Sequence, residues 1–186
     1  PDRVRAPGVP GGRAPGFGGP GCEPGQVGAA GEDWTGGHGY TPVRNLSGHG
    51  VAQWDAHTGP TSPNRGTDRG VELEVGDVVA IEPFATTGRG KVSEGSNAEI
   101  YSLESDRSVR NRTARNVLEQ VTEEYRTLPF ASRWLDAPRA EMAVRRLEQQ
   151  GVLHGYPVLK EDDGEFVSQA EHTVVITDDG CEILTA

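Results

Sequence analysis

The feature that most limits the possible fold is a block of helical patterning, residues 105–155, between stretches that alternate like β-strands. In its first part, apolar side chains recur at helical spacing on one face: Ala114, Val117, Leu118, Val121 and Tyr125. A second helix is predicted from near Asp136, with Pro138 in its first turn and Gly151 at its end. Residues 74–81 and 166–184 read as strands, so the helical block is predicted to lie between strand segments.

A second feature is the segment Asn45–His57, which places His49 and His57 in a predicted strand–turn–strand. Gly48 and Gly50 flank His49, so the backbone there is expected to adopt turn geometry and to let a ligand approach closely. A histidine by itself is more often an ordinary packing residue than a ligand. Here, however, two acidic residues also occupy apolar strands.

Those two acidic residues are Glu82, in the run Asp77–Phe84, and Glu171, in the run Val167–Ile176. A carboxylate is costly to bury in a strand unless a cation accompanies it, and a bound metal ion is one such cation. The histidines and the two carboxylates together therefore favour a metal site.

The amino-terminal residues 1–31 have a different character, since 16 of them are Gly or Pro. Such a segment buries too little apolar surface to offset the entropy of ordering it, so we expect it to be disordered. It is either a natural flexible tail or the translation of a GC-rich gene in the wrong frame, and the second explanation is favoured. The folded domain is expected to span residues 38–186.

Composition narrows the possible partners and the environment. The net charge of −10 argues against nucleic acid and anionic membranes. Lys91 and Lys160 are the only lysines beside sixteen arginines, which together with the acidic excess predicts a halophilic source. Two cysteines, Cys22 and Cys181, form no disulfide framework, and no apolar run has the length of a membrane span, so a soluble cytoplasmic protein is expected.

Four short segments, in this order around the helical block, resemble a known family: Asn45–Gly50, Ala80–Phe84, Gly155–Pro157 and Ala170–Thr173. From about Val27 or His38 onward, the chain resembles the C-terminal half of a type II methionine aminopeptidase of archaeal kind. The resemblance implies an α+β pita-bread fold, in which antiparallel sheets from two related halves enclose a dinuclear metal site. It also implies that residues 105–155 are the helical insertion that distinguishes the type II enzymes.

The resemblance further implies roles for individual residues. His49 and Glu82 are expected to ligate one metal ion, and Glu171 to bridge two divalent ions, which are Co, Mn, Fe or Zn. Such ions activate water, and Glu82 is the expected proton shuttle for attack on the carbonyl that follows an N-terminal methionine. His57 is expected to hydrogen-bond the substrate and Tyr156 to line the methionine pocket, although ordinary packing is an alternative for both. The expected partners are nascent polypeptide N-termini and the ribosome.

Three further features of the sequence bear on this resemblance. His172 adjoins Glu171, so its side chain is expected on the opposite face of the strand. Ser93 stands where type II enzymes often have another pocket histidine. The family also supplies two aspartate ligands and a further histidine from its N-terminal half, with no counterpart before His38, so the chain as written is expected to have little activity.

Two other functions are compatible with the same fold. One is a non-catalytic binding protein, which the presence of His49, Glu82 and Glu171 argues against. The other is a proline-directed peptidase, which the helical insertion and the pair Tyr156–Pro157 argue against.

Overall fold

The computed structural model describes residues 20–68 and 70–186, and these form two compact units. The first unit contains residues 20–52, His57–Ser93 apart from residue 69, and Glu161–Ala186. The second contains Gln53–Ala56 and Glu94–Lys160. In the described part of the chain, no helix is both long enough and apolar enough to cross a membrane.

The described residues form three α-helices and eleven β-strands. The helices are α1 (Pro24–Gly37), α2 (Arg112–Gln120) and α3 (Ala140–Gln149). The strands are β1 (Thr41–Pro42), β2 (Ser47–Ala52), β3 (Asp55–Pro63), β4 (Val78–Ile81), β5 (Phe84–Thr86), β6 (Ser93–Leu103), β7 (Phe130–Ala131), β8 (Leu153–Lys160), β9 (Val167–Gln169), β10 (His172–Thr177) and β11 (Gly180–Ile183).

The first unit is built on a five-stranded sheet in the order β11-β10-β4-β2-β3. β4 is antiparallel to both of its neighbours: Val79 pairs with Val174 of β10, and Ala80 pairs with His49 of β2. One face of this sheet carries a small apolar core of Leu73, Val79, Val174 and Ile176. A second, three-stranded sheet has the order β1-β5-β9. The short apolar runs that the sequence analysis identified as strands therefore pair with one another.

Helix α1 differs from the sequence-based expectation, because residues 24–31 were expected to be disordered and instead form its first part. Pro24 suits the first helical turn, where its missing N–H needs no partner. A Cβ atom at Gly25 would lie 2.1 Å from the Thr67 carbonyl oxygen, and one at Gly28 would lie 2.3 Å from that of Arg65. The glycines that suggested disorder thus allow α1 to pack directly against the backbone of residues 63–67. Residues 1–19 lie outside the described part of the chain.

The second unit contains the helical block and a three-stranded sheet in the order β7-β6-β8. Asn111 caps α2, since its side-chain oxygen accepts a hydrogen bond of 2.9 Å from the Ala114 amide. The apolar stripe predicted on this helix faces the core, with Ala114, Val117 and Val121 fully buried. The helix continues as a π-helical turn, Val121–Tyr125.

Helix α3 begins at Ala140, four residues after Asp136, near which the sequence predicted its start. The delay has a backbone cause: Arg139, immediately before the helix, is left-handed with φ 63°. Val144 and Leu147 are buried, and Gly151, predicted at the end of this helix, has φ 66° and lies just beyond it.

The packing of α1 can be tested with two glycines of the same helix. Gly28→Ala is expected to lower the free energy of unfolding by about 1–3 kcal/mol, because the new methyl group overlaps backbone that cannot easily move. Gly31 is the matched control, since a Cβ there meets no atom within 4 Å. Gly31→Ala is expected to stabilise by up to about 1 kcal/mol through helix propensity. Urea denaturation measures both, and equal effects of the two substitutions would contradict this packing.

Candidate metal and catalytic site

The β2–β3 hairpin brings the two histidines of the segment Asn45–His57 together. The ring centroids of His49 and His57 lie 4.3 Å apart, with the ring planes inclined by 53°. Gly48 and Gly50 lie within β2 rather than in a turn, which corrects the expectation from sequence. A Cβ at Gly48 would lie 2.1 Å from the Ala80 carbonyl oxygen, and one at Gly50 would lie 2.0 Å from that of Gly59. The glycines therefore permit close approach of the neighbouring strands, which fixes the position of His49.

Glu82 follows the end of β4 and faces His49. The His49 Nε2 atom lies 3.3 Å from Glu82 Oε1, and both side chains are mostly buried, at 20% and 11% exposed. The other ring nitrogen, Nδ1, lies 3.1 Å from the Gly50 carbonyl oxygen. A carbonyl oxygen can only accept, so Nδ1 carries a proton and, in the neutral ring, Nε2 presents a lone pair to Glu82. Such a contact requires a proton or a cation between the two atoms.

The Glu82 carboxyl group has a raised pKa. The largest cause is desolvation by burial, and the second is the negative charge of Glu171. His49 and a hydrogen bond from Gln169 lower the pKa but do not outweigh these two effects. The carboxylates of Glu82 and Glu171 therefore repel each other, and a cation bound between them would relieve this repulsion.

Gln169 links the two carboxylates. Its Nε2 atom donates a hydrogen bond of 2.8 Å to Glu82 Oε2 and one of 3.4 Å to Glu171 Oε2. No motif in the sequence points to Gln169 as a site residue. The available signal was its spacing, since a residue two before Glu171 in an extended chain lies on the same face.

The donor types at this site suit a divalent ion of the first transition series, which accepts imidazole nitrogen and carboxylate oxygen. Metal–ligand bonds of about 2.0–2.2 Å place adjacent ligands roughly 3 Å apart, close to the separation of His49 Nε2 and Glu82 Oε1. Within residues 20–68 and 70–186, no three His, Cys, Asp or Glu side chains converge closely enough to hold an ion by themselves. The residues present fit part of a metal-ligand set.

Two other residues considered from the sequence have hydrogen-bond contacts of their own. Tyr156 belongs to β8 in the second unit, where its hydroxyl lies 3.2 Å from Ser102 Oγ and its ring packs edge-on against His154. The Nδ1 atom of His172 lies 3.2 Å from Thr185 Oγ1, so this ring has a hydrogen-bond partner away from Glu82.

Repulsion between Glu82 and Glu171 predicts a stability cost. Glu171→Gln removes one of the two charges, so without metal its melting temperature is expected to rise by about 1–2 °C. Glu182→Gln is the matched control, because this residue is also exposed and acidic and lies on β11, the edge strand of the sheet. Differential scanning calorimetry with a chelator present measures both. A lower melting temperature for Glu171→Gln would contradict the repulsion.

Comparison with known proteins supplies the family context. The sequence profile of metallopeptidase family M24 matches residues 18–178. The methionine aminopeptidase of Archaeoglobus fulgidus is 48% identical over 161 residues, which cover 86% of this chain and 55% of that protein. The methionine aminopeptidase of Methanothermobacter thermautotrophicus is 42% identical over 169 residues, covering 89% of this chain and 56% of that protein. The chain spans about half the length of these relatives.

Solved structures agree on the fold. A structure of a thermophilic Arx1 has a TM-score of 0.67 at 23% identity and covers 77% of this chain and 40% of its own. The methionine aminopeptidase of Rickettsia prowazekii has a TM-score of 0.52 at 22% identity and covers 92% of this chain and 46% of its own. The mixed α+β pita-bread fold expected from the sequence is confirmed. The profile match begins at residue 18, so it includes α1.

Proposed function

We propose, because the chain belongs to metallopeptidase family M24, that it carries part of the active site of a methionine aminopeptidase, which removes the first methionine from polypeptide chains. The observation that carries the proposal is the paired arrangement of His49 Nε2 and Glu82 Oε1 at 3.3 Å, with Glu171 joined to Glu82 through Gln169. The named relatives at 42–48% identity support methionine as the residue removed.

His49, Glu82 and Glu171 are the residues that would hold the metal. We propose two divalent ions, of Mn, Fe, Co or Zn, since an imidazole and carboxylates suit all four. When bound, such ions lower the pKa of a water molecule so that it can attack a carbonyl near neutral pH.

The chain's own side chains have complementary roles in this proposal. Glu82, which lies beside His49 and is linked to Glu171 through Gln169, is proposed as the proton shuttle. His57 lies beside His49, and we assign it a hydrogen bond to the substrate carbonyl as negative charge develops there. Tyr156 is proposed to line the pocket for the methionine side chain.

The proposed substrates are the N-termini of nascent polypeptides, met at or near the ribosome in the cytoplasm. Both cysteines are free thiols, which supports a reducing compartment. We favour catalysis over a non-catalytic binding role, because a protein that only binds has no need to keep two mutually repelling carboxylates beside an imidazole.

The proposed activity is tested in the protein made from its complete gene. With Mn²⁺ present, His57→Ala is expected to lower kcat for methionine release from a Met-Ala peptide about 100-fold, because a hydrogen bond to the developing charge is lost. His172→Ala, which removes the same side chain from a residue bonded to Thr185, is expected to leave kcat within about twofold. Liquid chromatography of free methionine measures both rates.

Two results would contradict the proposal. One is the absence of any metal-dependent methionine release by the complete protein. The other is faster cleavage of an Xaa-Pro peptide than of a Met-Ala peptide, which would favour the proline-directed peptidase.

We further propose a halophilic source from the net charge of −10 and the near absence of lysine. Mutual repulsion of acidic side chains weakens as salt screens it. The melting temperature is therefore expected to rise by several degrees between about 0.2 M and about 2 M KCl. Sorbitol at matched osmolality is the control for water exclusion, and a melting temperature that does not respond to KCl would contradict a halophilic origin.

A further inference from the structure

Gln169 lies at the end of β9, where the backbone holds it close to Glu82. In the sheet register it pairs with Phe84 of β5. The next residue, Ala170, donates its amide to the Pro83 carbonyl oxygen at 3.3 Å. Backbone pairing on both sides of Gln169 therefore fixes where its side chain starts, next to the turn that carries Glu82.

The side chain of Gln169 ends in an amide whose nitrogen has two N–H donors. That nitrogen lies 2.8 Å from a Glu82 oxygen and 3.4 Å from a Glu171 oxygen. Oxygens of both carboxylates lie within reach of this one nitrogen, so the two like charges are close enough to repel each other. One neutral donor shared between two like charges offsets part of that repulsion and keeps both oxygens within reach of one atom.

We propose that Gln169 is a positioning residue: its amide holds the Glu82 and Glu171 carboxylates side by side in the metal-free protein, at the place where both are needed as ligands. The metal part of this statement rests on the proposed function. The coupling between the three side chains does not, because it is a property of the chain without any ion. Two experiments keep these parts separate.

The first experiment is a double-mutant cycle on the 186-residue chain with a chelator present. Gln169→Met keeps the length of the side chain and removes the amide. It is expected to lower the melting temperature by about 2–4 °C in the wild-type background. In the Glu171→Gln background the loss is expected to be less than half as large, because one of the two charges that the amide serves is gone.

The cycle removes effects of Met on strand propensity or packing, since these occur in both backgrounds. Equal losses in the two backgrounds, or no loss in the wild-type background, would overturn the proposal. A merely structural glutamine would give equal losses.

The second experiment measures Mn²⁺ binding by isothermal titration calorimetry in the protein made from its complete gene. Gln169→Met is expected to weaken binding about 10-fold, as is usual when a group that orients a ligand is removed. Gln169→Glu is expected to keep or strengthen Mn²⁺ binding while lowering the melting temperature without metal, because it adds a third negative charge. Ser168→Ala is the matched control, since alternation along β9 directs Ser168 to the other face.

The outcomes separate the two proposals. Unchanged Mn²⁺ affinity in Gln169→Met, beside clear binding by the wild type, overturns the positioning role toward the metal. A wild-type protein, made from its complete gene, that binds no Mn²⁺ overturns the proposed metal site itself, and the cycle without metal still decides whether Gln169 couples the two carboxylates.

Discussion

The close approach of β2 to β4 and β3 is the constraint on which the candidate site depends. Any side chain at Gly48 or Gly50 would overlap a carbonyl oxygen of a neighbouring strand. Because the strands approach so closely, His49 pairs directly with Ala80 and its ring reaches Glu82, two residues further along. Glycine weakens the interior of a β-strand. The two glycines of β2 therefore lower the local stability of this hairpin, while they allow the close strand approach that positions the His49 ring.

The charged side chains of the candidate site, like the glycines of β2, lower the stability of the fold while they prepare the site to bind a ligand. The Nε2 atom of His49 faces Glu82, and the negative charge of Glu171 opposes that of Glu82. Groups arranged so that they repel each other persist only where the surrounding structure holds them, and they are typical of sites prepared for a ligand. Here the backbone of β4 and β9 and the amide of Gln169 hold them.

The sequence predicted some of these features and missed others for physical reasons. The α2 stripe was predicted correctly, because Ala114, Val117 and Val121 repeat at the helical period and are buried together. Helix α1 was missed, since glycine favours disorder by composition but is also required wherever two backbones touch, as at Gly28. That choice depends on residues 63–67, which are distant in sequence.

The sequence predicted the charged residues of the site but not the neutral residue that contacts them. His49, Glu82 and Glu171 stand in segments whose residue types suggest ligands, and the structure places the first two in contact. Gln169 has no such signature, because a neutral amide becomes informative only when its partners are known. The start of α3 could not be predicted from Pro138 either, since it depends on the left-handed backbone of Arg139.

His49 Nε2 and Glu82 Oε1 are proposed to bind the same cation. This proposal is tested most directly by the ¹⁵N chemical shifts of the histidine rings as Zn²⁺ is added. We predict that the Nε2 signal of His49 moves to the range of a metal-bound imidazole while its Nδ1 remains protonated, and that both nitrogens of His172 are unchanged. If the His49 Nε2 signal does not change as Zn²⁺ is added, or if the shift appears at His172 instead, His49 is not a ligand of the proposed metal site.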